Sequence, residues 1–90
     1  MYAVPHTVTF TDQSAAEAGL GQVVPQVSSL PGFVAGYWVA RSANQGLALI
    51  VFDTEQAAQS FADFLKTVPD AAGVTLDRES IGVGEVLAHA

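Results

Sequence analysis

The sequence contains no cysteine, which excludes disulfides, thiolate nucleophiles and thiolate metal sites. It is also poor in basic residues. Arg41, Lys66 and Arg78 are the only Lys or Arg side chains, against nine Asp and Glu, and the formal net charge is −6. Three scattered cations cannot neutralise a run of phosphates, so nucleic acid and anionic membrane surfaces are excluded as expected partners. No apolar run approaches the roughly 20 residues that span a bilayer. The N-terminal MYAVPHTVTF lacks the basic and long apolar regions of a secretory signal. These absences together lead to the expectation of a cytoplasmic protein. Only two histidines occur, His6 and His89, at opposite ends of the chain, so no metal site is expected from spacing.

What the sequence has in excess is apolar material. Half of the 90 residues are hydrophobic and 13% are charged, against about 25% charged in an average domain. Residues 1–90 are expected to form one domain with a modest core of its own, and part of the apolar surface should be covered by something other than this chain.

Periodicity orders the elements. Val4, His6, Val8 and Phe10 alternate with Ala3, Pro5, Thr7 and Thr9, which predicts a first strand over 2–10. Pro5 has no N–H and should sit near the start of that strand, where no ladder bond is needed. Asp12 to Ser29 reads as a helix with Ser14 and Glu17 as a capping box and a stripe of Leu20, Val23, Val24 and Val27. Pro25 inside it predicts a kink or a broken start. After Leu30-Pro31-Gly32, strands are expected over 33–42 and 47–53, joined by Ala43-Asn44-Gln45-Gly46, in which Asn and Gly would accept positive φ. A second helix over 55–67 is capped by Asp53 or Thr54 and ended by Pro69. A last strand is expected within 75–88, weakened by Gly82 and Gly84. The order βαββαβ is the α+β, ferredoxin-like arrangement: a four-stranded antiparallel sheet in the order 4-1-3-2, with two helices on one face.

The central hairpin carries an expectation about assembly. Phe33, Ala35, Tyr37 and Val39 share one face and Val34, Gly36, Trp38 and Ala40 the other, and the returning strand is likewise apolar on both sides. Helices cover one face only, so the other is expected to pack against a second copy, giving a homodimer. If about 500 Å² of apolar sheet per subunit leaves water, the gross gain is on the order of 12 kcal/mol before association costs.

Two groups of residues could carry chemistry. His6 next to Glu85 would give an imidazole oriented by a carboxylate and suited to general base catalysis; the plainer alternative is a half-buried histidine with one hydrogen bond. Tyr37, Trp38 and Arg41 form the second group, with Tyr37 and Arg41 on one strand face and Trp38 on the other. The phenol and guanidinium could hold an anionic or phenolic ligand; the alternative is core or dimer-interface packing for the aromatics and solvent for the guanidinium. Val8, Phe10, Phe61 and Phe64 are expected to line a pocket between sheet and helices for an apolar or aromatic small molecule. Asp53 and Glu55 read as helix-start acids.

Pro31-Gly32-Phe33, a strand and short hairpin, then Val51-Phe52-Asp53-Thr54-Glu55-Gln56-Ala57, resembles the dimeric α+β barrel superfamily, in particular antibiotic-biosynthesis-monooxygenase-like proteins and related uncharacterised barrels. The resemblance implies two subunits packed sheet to sheet and a ligand held between sheet and helices of each. It spans cofactor-independent oxygenases, haem-degrading oxygenases and members without known activity. Haem-degrading members use an Asn on the first strand and a Trp and a His on the second helix. Here His6 stands at about the Asn position, the second helix has Phe61, Phe64 and Leu65 instead, and Phe52 replaces the usual Trp before it. No cofactor is therefore expected. Two readings follow: a small-molecule-binding or monooxygenase-like barrel, and a non-catalytic dimeric interaction or scaffold module. A cavity of a few hundred Å³ beside His6 separates them.

Overall fold

The computed structural model describes residues 1–90. Strand β1 (Tyr2–Phe10) leads to helix α1 (Gln13–Ser28), strands β2 (Phe33–Ala40) and β3 (Gln45–Phe52), helix α2 (Glu55–Thr67), and the short strands β4 (Val74–Leu76) and β5 (Gly84–Glu85), separated by a 3₁₀ turn at Arg78–Ser80. The antiparallel sheet has the order β2-β3-β1-β4, with β5 also on β1. This is the expected 4-1-3-2 order and the ferredoxin-like α+β fold.

The expected last strand is split in two. β4 pairs with Val8–Phe10 and β5 with Tyr2 and Ala3, both along the same edge of β1. Pro5 supplies a physical reason. Residues alternate in the edge to which they direct N–H and C=O, and Thr7 bonds Ser80 Oγ through its N–H and the Asp77 N–H through its carbonyl, both on this edge. Pro5, two residues earlier, addresses the same edge with no N–H to offer. The proline thus lies mid-strand rather than at the start, but where its edge partner is interrupted.

Several local expectations are corrected. Asp12, not Ser14, caps α1: its Oδ1 accepts from the Ala15 N–H at 3.1 Å. The carboxylate wins because the chain is still extended at Asp12 and already helical at Ser14. α1 runs unbroken through Pro25; Gly21, whose carbonyl loses its partner, is exposed, so water can satisfy it. No Asn or Gly of the hairpin adopts positive φ. The connection is instead held by Ser42 Oγ, which accepts from the N–H groups of Asn44 and Gln45, and Gly46 belongs to β3, where a Cβ would lie 2.6 Å from the Phe10 ring. α2 keeps its expected span, capped by Thr54 Oγ1 accepting from Ala57 N–H at 3.1 Å.

The Pro31-Gly32-Phe33 motif also has a structural cause. Gly32 sits at φ +81, and its carbonyl accepts from the Asp53 N–H at 2.8 Å. A Cβ there would meet Asp53 Oδ1 at 2.5 Å. Gly32→Ala is expected to lower stability by at least about 1 kcal/mol, read as a fall in urea midpoint with unchanged slope.

The core lies between the sheet and the helices. Val4, Ile50 and Phe52 from the sheet are sealed against Ala58, Phe61, Ala62 and Leu65 of α2. Phe52 meets Phe33 edge-on at 6.4 Å and Phe61 at 5.4 Å. From α1 only Val27 is fully buried. The end of α2 is tied down by Arg78, whose guanidinium donates to the Leu65 carbonyl at 2.6 Å and to Asp70 Oδ1 at 3.1 Å. The Asp70 pair is a third exposed and contributes little by itself; the cation on a helix-terminal carbonyl contributes more. Arg78→Ala is expected to cost about 1 kcal/mol, seen as a lower melting temperature, with Asp70→Asn costing less.

Candidate functional site

His6 lies at the middle of β1, facing the helices. Its register partner on β3 is Ala48, and the partner of Ala48 on β2 is Trp38. The row across the sheet is therefore His6–Ala48–Trp38, two large rings flanking a small side chain. Gly36 lets the Trp38 ring fold along β2, since a Cβ there would sit 2.9 Å from it. Small residues below large rings leave space above the sheet, and a cavity of about 370 Å³ fills it. Its floor is His6, Val8, Phe10 and Trp38; Leu20 and Val23 of α1 form one wall, and Phe61, Phe64 and Leu65 of α2 the other. Twenty of its 25 lining residues are apolar, so it suits an apolar molecule. Of the α1 stripe predicted from periodicity, Val27 is buried, Val23 packs against the core, and Leu20 and Val23 line this space, whereas Val24 is 38% exposed.

His6 is the one imidazole in the lining and is 7% exposed. Its Nδ1 lies 3.3 Å from the Val4 carbonyl. A carbonyl can only accept, so in this bond Nδ1 carries the proton and Nε2 keeps its lone pair. Burial pushes the His6 pKa below its ordinary 6.5, against the opposing pull of the Val4 carbonyl, which favours the charged ring. At neutral pH the residue is thus an uncharged imidazole, and its Nε2 makes no hydrogen bond within the chain. Such a nitrogen can accept a proton or a hydrogen bond from a hydroxyl in the cavity.

The structure brings together His6, Val8, Phe10, Phe61 and Phe64, as the sequence predicts. It separates the others. Glu85 is exposed and faces Tyr2, four positions from His6, because β5 begins only beyond the break in the last strand. No carboxylate bonds the imidazole; the Val4 carbonyl takes that place. Tyr37 lies on the opposite face of the sheet, 58% exposed, with Leu49 and Pro5 as its neighbours across the strands. Arg41 lies past the end of β2 in the hairpin connection and does not line the cavity. Sequence reasoning named Trp38 beside Tyr37 and Arg41 but gave it no contact with a ligand. Hairpin alternation already set it on the face opposite Tyr37; the β1–β3 register was needed to know that this is the face of His6.

A second, more open groove of about 630 Å³ lies between the end of α1 and the start of α2. No group of three or more His, Asp or Glu side chains is arranged to hold a metal ion. No helix is long and apolar enough to cross a membrane.

No protein-family model matches the sequence, and no curated protein matches it. Among solved structures, the haem-degrader MhuD from Mycobacterium tuberculosis, determined with two haems bound in its active site, is similar with a TM-score of 0.59 at 16% identity, over 98% of each chain. At that identity the likeness speaks for architecture. The chain has the ferredoxin-like α+β fold and shares it with that haem-degrader.

Proposed function

We propose that this protein binds an uncharged apolar or aromatic small molecule bearing a hydroxyl group, with the His6 Nε2 as acceptor of the hydroxyl proton. The observation that carries this is the cavity of about 370 Å³ beside a buried, neutral imidazole. A well-packed interior would have favoured a non-catalytic scaffold instead. Where the ligand is a phenol, Nε2 takes its proton as dioxygen attacks the electron-rich ring, so that a separated imidazolium and phenolate do not build up in a site that disfavours charge. The oxidation then balances as phenol plus dioxygen giving quinone plus water, one oxygen atom entering the ring. That reaction is a monooxygenation.

Haem does not fit these residues. A haem needs an axial ligand and partners for two carboxylates. The His6 Nε2 could ligate iron, but no Lys or Arg lines the cavity, whose titratable residues are His6 and Glu17, so the two carboxylates would find no partner there. The ligand proposed is therefore smaller than haem and uncharged. Native mass spectrometry of freshly purified protein tests the reading: a co-purified neutral aromatic supports it, and a co-purified haem overturns it.

The working unit of the proposal is a homodimer. Tyr37, Val39 and Val34 are 58%, 44% and 46% exposed on β2. Tyr37 and Val39 share the face away from the helices with Ala35, Leu47, Leu49 and Val51. An apolar sheet face of this kind calls for a cover, and a two-fold copy supplies the same surface in return. Each cavity lies mainly on the other side of its sheet, with Val39 and Leu47 at its edge. Tyr37 thereby belongs to the interface instead of a ligand site.

A further inference from the structure

The cavity beside His6 and the open groove between the helices share four lining residues, Gln26, Val27, Phe61 and Phe64. Phe61 and Phe64 stack at 6.5 Å with an interplanar angle of 28° and line both spaces, so this aromatic pair forms the boundary between them. The two compartments differ in chemistry. The inner one is apolar apart from His6 and a few rim groups. The outer one carries Gln26, Gln56 and Ser60, whose side chains make no hydrogen bond within the chain. Thr54 also lines it, but its hydroxyl already accepts from Ala57 N–H. No Asp, Glu, Lys or Arg lines the outer groove, and the inner cavity has only Glu17, an exposed carboxylate already held by Gln13 Nε2 at 3.2 Å.

We infer that the two spaces form one elongated site for an uncharged, two-ended molecule. Its hydroxylated aromatic end sits against His6, its middle crosses the Phe61–Phe64 pair, and a neutral polar tail rests among Gln26, Gln56 and Ser60. The inference rests on the binding reading above and specifies the ligand class. Carboxylates and phosphates are disfavoured at both ends, because neither compartment offers a cation and the chain is itself at −6. Amides and hydroxyls pair well with ether, ester and hydroxyl groups.

Calorimetric titration of the full chain at neutral pH with three probes tests this: methyl 4-hydroxybenzoate, its 2-(2-hydroxyethoxy)ethyl ester analogue, and 4-hydroxybenzoate. The longer ester is expected to bind about tenfold more tightly than the methyl ester, as one or two net hydrogen bonds would give. A Gln56→Ala/Ser60→Ala double variant, both positions exposed, should erase that gain. The carboxylate should bind at least about tenfold more weakly than the methyl ester. If the esters bind equally, or the double variant weakens both alike, the two-compartment site is overturned while the His6 cavity stands. Tight binding of 4-hydroxybenzoate overturns the preference for neutral ligands. If neither ester binds, the binding reading itself falls with the inference.

Discussion

Tyr37→Glu is expected to halve the particle mass, from twice 9.3 kDa to 9.3 kDa, in sedimentation at micromolar concentration. Tyr37 stands in a row with Leu49 and Pro5 near the middle of the helix-free face. It is 58% exposed in the isolated chain, so a carboxylate there costs the subunit fold little. In a two-fold interface the same substitution sets two charges in an apolar contact. An ionised carboxylate without a partner costs several kcal/mol to bury, enough to shift a micromolar dimer wholly to monomer. Circular dichroism should stay unchanged, separating lost assembly from lost folding. A wild-type chain already at 9.3 kDa would remove the basis of the dimer.

The second large effect is at His6. His6→Leu keeps volume in the cavity floor and removes the only imidazole there. Affinity for a phenolic probe should fall about tenfold or more, and any oxidation of a phenolic substrate, followed as oxygen uptake, should stop while the dimer persists. Unchanged uptake in the variant would remove His6 from the chemistry. The pH dependence follows from the direction of the pKa shift. The folded pKa lies below the unfolded 6.5, so the unfolded chain takes up the proton more readily. The contribution of neutral His6 to stability is complete above pH 6.5 and is lost as pH falls from there through the folded pKa. Probe binding should weaken over the same interval, since protonation removes the Nε2 lone pair. His6→Leu should flatten the part of the stability profile due to His6, measured by urea unfolding across that range.

The two expectations came from different kinds of signal. The apolar hairpin needed nothing beyond alternation to show that both sheet faces are apolar, and the structure places Ala48, Ile50 and Phe52 in the core with Leu47 and Leu49 on the far side. His6 was legible as a cavity residue because it alternates with Val4, Val8 and Phe10, and such a residue must share their face. Its partner was not legible. Pairing with Glu85 assumed an uninterrupted last strand, and the break opposite Pro5 moves Glu85 to the level of Tyr2.

Order of elements, the extent of α2, the sheet order and the apolar character of both sheet faces follow from residue type and spacing, because helical and strand periods and turn-forming residues act within a few positions of the chain. Tertiary structure alone decided that His6, Ala48 and Trp38 form one row and that α1 stands off the sheet far enough to leave a cavity. It also decided that Arg41 and Glu85 lie outside it. Those depend on the register between strands distant in sequence and on the space left between packed elements, and neither quantity is encoded in any single segment.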